Sequence, residues 1–238
     1  MQQKKRTPRK DDREFLVFDD RRAVYLVVSK VACTSIKHAI AHSYGISSET
    51  VMGIHDGQLW RRELGCAEGI DKDYFRFAFV RDPFDRLVSC YRDKIIFAGD
   101  GQDNTDVPYF EHFSINRIEA GIDFGAFVAV VAGIDDAQAD RHFRSQYAAL
   151  YEDGALCVDF VGKFENLAED WARIAKRLNF SPTLASLNES RHKKAPNIKK
   201  DYREYYTPEI ADMVYARYQN DVHAFGYEAA YQALRANR

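Results

Sequence analysis

The sequence predicts an α/β fold with a central, mostly parallel sheet flanked by helices. Two segments, at 23–41 and 74–96, share one pattern: an apolar run rich in β-branched and aromatic residues, a short polar loop, and then a helical period. Apolar runs of this length and composition are typical of strands buried on both faces of a parallel sheet. A third run at 160–164, followed by a helical pattern over 166–178, predicts another unit of the same kind.

The composition indicates one globular domain. A chain of 238 residues, 46% of them hydrophobic, can bury a substantial core. Its net charge of −2 gives no reason to expect a nucleic-acid partner. Residues 1–13 are strongly basic and lack an apolar period, so we predict a flexible basic tail there and a single domain over 14–238. The four cysteines lack metal-ligand spacing, and we expect no metal site.

The first segment predicts an anion-binding site. A strand over Ala23–Val28 is followed by a loop that contains Lys30, and the helical period begins after Thr34 and Ser35. Where a strand and a tight loop lead into a helix, unpaired backbone N–H groups and the positive end of the helix dipole point into the loop. Lys30 adds a full charge, and the two hydroxyls add donors. The alternative is an ordinary βα unit whose lysine faces solvent.

The second segment predicts a phosphate site at the end of the next strand. A strand over Phe75–Val80 ends at Arg81, Asp82 can cap the following helix, and Pro83 suits the first turn of that helix. Ser89 lies about two helical turns beyond Arg81. Guanidinium binds phosphate bidentately, although an arginine at a strand end can also be a plain surface charge. The apolar stripe of this helix consists of Leu87, Val88, Tyr91 and Ile95.

Other elements are predicted outside the two segments. The stretch 50–55 reads as a short strand, and 57–64 as a helix with its apolar residues inward. An apolar run at 124–131 predicts a core helix, and the polar stretch 140–146 predicts another helix. Thr207-Pro208-Glu209 is a helix start, since a hydroxyl cap precedes a proline in the first turn.

Both segments resemble motifs of a known family. SKVACTSIK at 29–37 resembles the 5′-phosphosulfate loop of the family 2 (carbohydrate) sulfotransferases, which include the chondroitin and dermatan enzymes. VRDPFDRLVSCYRDK at 80–94 is similar to their 3′-phosphate motif, and further similar blocks follow in order up to 227. The resemblance implies a three-layer, P-loop-like fold and transfer of a sulfuryl group from 3′-phosphoadenosine 5′-phosphosulfate (PAPS) to a hydroxyl of a glycan. Ser29 departs from the usual proline, and Ser35-Ile36 from the usual Asn-Trp pair.

The resemblance also implies residue roles. Lys30 would stabilise charge on the transferred group as a catalytic residue, and a basic loop near 191–203 would close over the donor, although that stretch could equally be an exposed linker. The donor-binding residues so implied are Lys30, Val31, Ala32, Cys33, Thr34, Ser35, Arg81, Ser89, Lys193 and Lys194.

A histidine is expected as the general base. The heparan-type relatives place a histidine or glutamate base shortly before the strand that carries the 3′-phosphate arginine, and His55 precedes Arg81 by a suitable stretch, although a lone histidine is more often structural. Neutral imidazole, with an ordinary pKa near ~6.5, can accept a proton at physiological pH. His142 is the rival base, and with Arg144 it is implied to contact the acceptor. A solvated helix face is the alternative for those two residues.

Two other classes of function share parts of this pattern. A P-loop kinase or NTPase needs a GxxxxGK[ST] loop, and 29–37 contains no glycine. A non-catalytic module that binds sulfated or phosphorylated nucleotides would keep Lys30 while its base would be dispensable.

The location was predicted from what the sequence lacks. No run approaches the ~18 apolar residues of a membrane span, and no signal peptide precedes the fold. The animal members of the resembled family are Golgi proteins with an N-terminal anchor. We therefore predict a soluble, bacterial and cytoplasmic enzyme, and the sequence does not indicate its oligomeric state.

Overall fold

The computed structural model describes residues 13–46, 61–64, 70–96, 118, 121–184 and 201–236, with 61–64 described by their backbone. The predictions for residues 1–12, His55, Lys193 and Lys194 lie outside these residues. The strands are β1 (Glu14–Phe18), β2 (Ala23–Val27), β3 (Arg61–Leu64), β4 (Phe75–Val80), β5 (Tyr151–Glu152), β6 (Ala155–Leu156) and β7 (Phe160–Lys163). The α-helices are α1 (Cys33–Ser43), α2 (Pro83–Tyr91), α3 (Phe124–Ala132), α4 (Gln146–Leu150), α5 (Leu167–Leu178), α6 (Pro208–Phe225) and α7 (Glu228–Ala236).

The central sheet has five described strands in the order β3-β1-β2-β4-β7. Strand β2 pairs with β4 and β4 with β7 in parallel, whereas β1 is antiparallel to both β2 and β3, so four of the five strands run in one direction. Every side chain of β1 is buried, and since successive side chains point to opposite faces, both faces of the sheet are covered. The predicted α/β class, with a mostly parallel sheet between helices, is confirmed.

Two local predictions are wrong, one because strand pairing decides the local structure and the other because side chains bond nearby amides. The helix predicted over 57–64 is contradicted at 61–64, where the chain forms β3 against β1 with Glu14 opposite Leu64. The helix predicted over 140–146 is a turn, and α4 begins only at Gln146. The carboxylate of Asp140 accepts from the amide of His142, and the hydroxyl of Ser145 caps α4. Side chains that bond nearby amides in this way compete with helix formation.

Strand β1 was not predicted from the sequence at all. It pairs with β2 as an antiparallel hairpin through the 3₁₀ turn Asp19–Arg21, with Phe18 opposite Ala23. Arg22 closes the hairpin at a φ of 47°, in the left-handed region.

Helix α2 forms as predicted, and it carries one side of the site. The carboxylate of Asp82 accepts from the amide of Phe84 at 2.9 Å, and Pro83 occupies the first turn. A π-helical segment, Arg92–Ile96, continues α2. Single π turns within helices occur frequently at functional sites. The predicted apolar stripe is buried at all four positions, Leu87, Val88, Tyr91 and Ile95.

The contact between β4 and β7 depends on a glycine. A Cβ at Gly162 would lie 2.4 Å from the ring of Phe79, closer than any real contact. Phe79 is fully buried and contacts Trp171 of α5, with the ring centroids 6.5 Å apart. A glycine at 162 therefore allows the backbone of β7 to pack directly against the ring of Phe79.

Candidate active site

The loop between β2 and α1 has an unusual backbone. Lys30 and Ala32 have φ values of 67° and 50°, in the left-handed region, although neither is glycine. Each such residue costs on the order of 1–3 kcal/mol, and such conformations cluster at active sites and ligand clamps. Helix α1 begins directly afterwards with no capping side chain and no acidic residue in its first turn. Its first amides and the positive end of its dipole therefore face the loop, an arrangement that suits an anion.

The two hydroxyls predicted in this loop lie at the start of α1. Thr34 and Ser35 are each 9% exposed, and within the described part of the chain their hydroxyls make no hydrogen bond. Val31 is fully buried, while Ala32 and Cys33 are half-buried. The loop thus offers two hydroxyl donors beside a row of backbone amides.

Lys30 is held by an acidic residue that the sequence analysis did not single out. Its ammonium lies 2.8 Å from Oδ2 of Asp93, and the ammonium of Lys94 lies 3.2 Å from the same oxygen. Burial alone would raise the pKa of Asp93, but the two ammonium groups outweigh burial and hold this pKa well below its usual range. The carboxylate is therefore ionised, and Lys30 belongs to a cluster of two cations and one anion.

Arg81 meets the Lys30 loop directly. One terminal nitrogen of its guanidinium donates to the carbonyl of Lys30 at 3.2 Å. The other terminal nitrogen and Nε lie 2.7 and 2.8 Å from Oδ2 of Asp85, and the guanidinium carbon lies 4.1 Å from the ring centroid of Phe164. The two predicted anion sites are thus neighbours at the carboxyl ends of adjacent parallel strands, β2 and β4.

The backbone of Arg81 is fixed by a buried glutamine. Oε1 of Gln146 accepts from the Arg81 amide at 2.9 Å, and its Nε2 donates to the Arg81 carbonyl at 2.8 Å. Asp221 of α6 is buried and accepts from the amides of Gln146 and Tyr147 at 2.9 and 2.7 Å, which positions the start of α4.

One face of α2 and its π segment runs along both cations. Asp85, Ser89 and Asp93 are spaced four residues apart, the spacing of neighbours on one helix face. Asp85 contacts Arg81 and Asp93 contacts Lys30, at the two ends of this face. The half-buried Ser89 lies between them in sequence and makes no hydrogen bond through its hydroxyl among the described residues.

His142 forms a close pair with a carboxylate near this site. Its Nδ1 lies 2.6 Å from Oδ1 of Asp140, and both residues are buried. Burial lowers the pKa of His142 to about 4, although Asp140 raises it in part. The imidazole is therefore neutral at physiological pH, and the contact fits the tautomer in which Nδ1–H donates to the carboxylate of Asp140.

Arg86 attaches this histidine turn to the Lys30 loop. The buried guanidinium donates to the carbonyls of Ser29 at 2.9 Å, Arg144 at 2.8 Å and Arg141 at 3.2 Å. The guanidinium of Arg144 donates to two carbonyls, those of Asp136 and Ala139, both at 3.1 Å. Arg144 thus folds back on its own turn, and a contact with an acceptor stays a prediction.

Comparison with known proteins decides the family. The family model described as "Sulfotransferase family" matches residues 13–228, most of the chain. The chain belongs to the sulfotransferase family. The resemblance to the family 2 carbohydrate sulfotransferases is therefore confirmed as far as the family, and the chondroitin and dermatan group stays a prediction.

Several curated proteins that this chain matches are carbohydrate sulfotransferases. Carbohydrate sulfotransferase 12 of Mus musculus is 27% identical over 92% of this chain and 61% of the relative. Carbohydrate sulfotransferase 14 of Mus musculus is 27% identical over 71% of this chain and 49% of the relative. Carbohydrate sulfotransferase 8 of Homo sapiens is 28% identical over 69% of this chain and 42% of the relative. The match therefore spans between 42% and 61% of the length of these relatives. No solved structure matches the chain significantly.

The predicted cytoplasmic location of this sulfotransferase family member is wrong. The relatives that it matches are animal carbohydrate sulfotransferases, a group of Golgi membrane-type enzymes. The prediction failed because it derived a location from the lack of an apolar run and a signal peptide in this sequence. In the part of the chain that the structure describes, no helix has both the length and the apolar character to cross a membrane.

Sequence reasoning missed three residues that organise the site, Asp93, Arg86 and Asp140, and it noted Gln146 only as a polar residue of a stretch expected to contact the acceptor. Of the three, only Asp93 carried a readable signal, since it lies four residues beyond Ser89 on the same helix face. The partners of Arg86, Asp140 and Gln146 are backbone atoms or turn residues, which sequence spacing does not reveal. Among the described residues, no group of three or more His, Cys, Asp or Glu side chains could hold a metal ion.

Proposed function

We propose that this chain is a PAPS-dependent sulfotransferase that acts on a carbohydrate hydroxyl. The observation that carries the proposal is the junction of the two anion sites, where Arg81 donates to the carbonyl of Lys30 beside the uncapped start of α1. Family membership and the names of the relatives support the same chemistry. On the resemblance of the two motifs, we propose that the chain groups with the chondroitin and dermatan sulfotransferases; both motifs concern the donor, so the acceptor glycan is left to the panel described below.

One nucleotide with phosphates at both ends fits the two neighbouring sites. The amides of the Lys30 loop and the hydroxyls of Thr34 and Ser35 would hold its 5′ end. Arg81 and Ser89 would hold the 3′-phosphate, since guanidinium binds phosphate in a planar, bidentate way. Bound PAPS supplies a sulfuryl group that is attached to its 5′-phosphate, and the nucleotide phosphate is a good leaving group.

The reaction breaks the bond between sulfur and the bridging phosphate oxygen and forms a bond between sulfur and the acceptor oxygen. The acceptor proton passes to a base, and the products are a sulfate ester and adenosine 3′,5′-bisphosphate. The Lys30 ammonium and the α1 dipole stabilise the charge that develops on the bridging oxygen. Removing one preorganised donor of this kind typically lowers kcat about 10²–10³-fold.

A histidine is proposed as the base. The pair of His142 with Asp140 supports His142, because a carboxylate on Nδ1 fixes the tautomer in which Nε2 accepts a proton. His55 stays a prediction on the resemblance alone. Comparing His55→Ala with His142→Ala decides between them, since removal of a general base lowers kcat about 10²–10⁴-fold and leaves bisphosphate binding intact.

The decisive experiment incubates the full chain with PAPS labelled in the sulfuryl group and a panel of glycans, without added metal. We expect label in the glycan, and a rate of labelling about 10²–10³-fold lower after Lys30→Ala. ATP hydrolysis that requires magnesium would support the NTPase instead. Tight binding of the bisphosphate without any transfer would support the non-catalytic module.

A further inference from the structure

We propose that Asp93 is a positioning residue for Lys30 that fixes the lysine ammonium at the sulfuryl end of the donor site. This inference rests on the proposed function. An anionic donor is expected to be surrounded by cationic side chains, and the inference explains why an acidic residue lies among them.

The first argument is geometric. A single carboxylate oxygen, Oδ2 of Asp93, lies 2.8 Å from the ammonium of Lys30 and 3.2 Å from that of Lys94. Both are distances of charge-assisted hydrogen bonds. Lysine is a point charge on a flexible four-carbon stem, so its ammonium has no defined place unless a partner supplies one. Asp93 supplies that partner for Lys30.

The second argument is that the other cationic site is built in the same way. Asp85 holds the guanidinium of Arg81 just as Asp93 holds the ammonium of Lys30, and the two carboxylates lie eight residues apart on α2 and its π segment. One helix face thus carries a partner for each cation. The π segment begins where α2 ends, and its Asp93 contacts Lys30 of the loop between β2 and α1.

The third argument concerns charge. The two ammonium groups hold the pKa of Asp93 below its usual range, so Asp93 remains an anion and is unsuited to accept a proton in the reaction. Asp93 places one negative charge beside the ammonium of Lys30. Neutralising Asp93 removes that negative charge from the donor site, which should strengthen attraction of the anionic donor while leaving Lys30 misplaced.

The test is Asp93→Asn, which keeps the shape of the side chain and removes its charge. We expect kcat to fall roughly 10- to 100-fold, the usual range for a misplaced catalytic group. We expect the Kd for adenosine 3′,5′-bisphosphate, measured by calorimetry, to stay equal or become tighter. Asp93→Glu should recover part of kcat. The matched control is Asp212→Asn, which neutralises a half-buried carboxylate of α6 that pairs with Arg235 at 3.0 Å and accepts from the Tyr231 hydroxyl at 2.8 Å, and it should leave both values unchanged.

Two outcomes would overturn the inference. The first is an unchanged or higher kcat in Asp93→Asn. The second is a parallel loss of kcat, bisphosphate affinity and thermal stability, with no recovery in Asp93→Glu, because a merely structural pair behaves in that way. If wild-type chain neither binds the bisphosphate nor transfers label, the proposed function itself has failed. If wild type does both and Asp93→Asn equals wild type, only the role of Asp93 has failed.

Discussion

Replacing Gln146 by leucine tests how the 3′-phosphate site is held in place. Gln146 is fully buried, and its side chain bonds both the amide and the carbonyl of Arg81, at 2.9 and 2.8 Å. Leucine fills a similar volume but leaves both backbone groups without these partners. An unsatisfied buried group costs about 1–3 kcal/mol, and since the Arg81 contacts are only partly buried we expect Gln146→Leu to lower the free energy of unfolding by about 2–4 kcal/mol.

The same substitution should also loosen the site, because Arg81 loses the contacts that fix its backbone. We expect the Kd for adenosine 3′,5′-bisphosphate to rise, by up to about tenfold. Urea unfolding measures the stability change and calorimetry the Kd. Gln138→Leu is the matched control, since Gln138 is exposed in a nearby turn and its replacement should change stability by less than about 0.5 kcal/mol. A Gln146→Leu variant that loses less than about 1 kcal/mol and binds the bisphosphate normally would refute this reasoning.

Two further predictions concern stability. Burial raises the pKa of Asp82 to about 6, against the opposing hydrogen bonds from Tyr202 and Phe84, so the folded state holds this proton more tightly than the unfolded state does. The free energy of unfolding of wild type should therefore fall by about 2 kcal/mol relative to that of Asp82→Asn as the pH rises from 4 to 7. A difference in urea unfolding that does not depend on pH would contradict this. Gly162→Ala should destabilise the fold by about 1–3 kcal/mol or more, because the added Cβ would clash with the ring of Phe79. An unchanged urea midpoint would show that the Phe79 ring moves aside without a cost in stability.

The fold was predictable where strands are continuous apolar runs. Strands β2, β4 and β7, and helices α1, α2, α3 and α5, follow local periodicity, and the structure has them within a few residues of the predicted bounds. Strands β1 and β3 were missed or misassigned because each is fixed by pairing. The pattern of 61–64 suits a helix in isolation, and only the edge of β1 makes it a strand. Non-local pairing of this kind leaves no local signal.

The site was predictable to the level of motifs. Lys30, Thr34, Ser35 and Arg81 lie together because the two motifs follow adjacent parallel strands. The pairing of these residues with their partners was not predictable, since Asp93 holds Lys30 across 63 residues of sequence and Gln146 holds Arg81 across 65; for Asp93 the spacing from Ser89 marked a helix face but not its partner. The left-handed backbone at Lys30 was likewise hidden, because no glycine marks it.

The central claim is that the Lys30 loop and Arg81 bind the two ends of one nucleotide. The most direct test is calorimetric binding of adenosine 3′,5′-bisphosphate and adenosine 5′-monophosphate to wild type and to Arg81→Ala. Because a hydrogen bond to a charged group contributes about 1.5–3 kcal/mol, wild type should prefer the bisphosphate by roughly 10- to 100-fold. Arg81→Ala should lose most of this preference and keep only the part that Ser89 contributes. An Arg81→Ala variant that keeps the full preference for the 3′-phosphate would contradict the account.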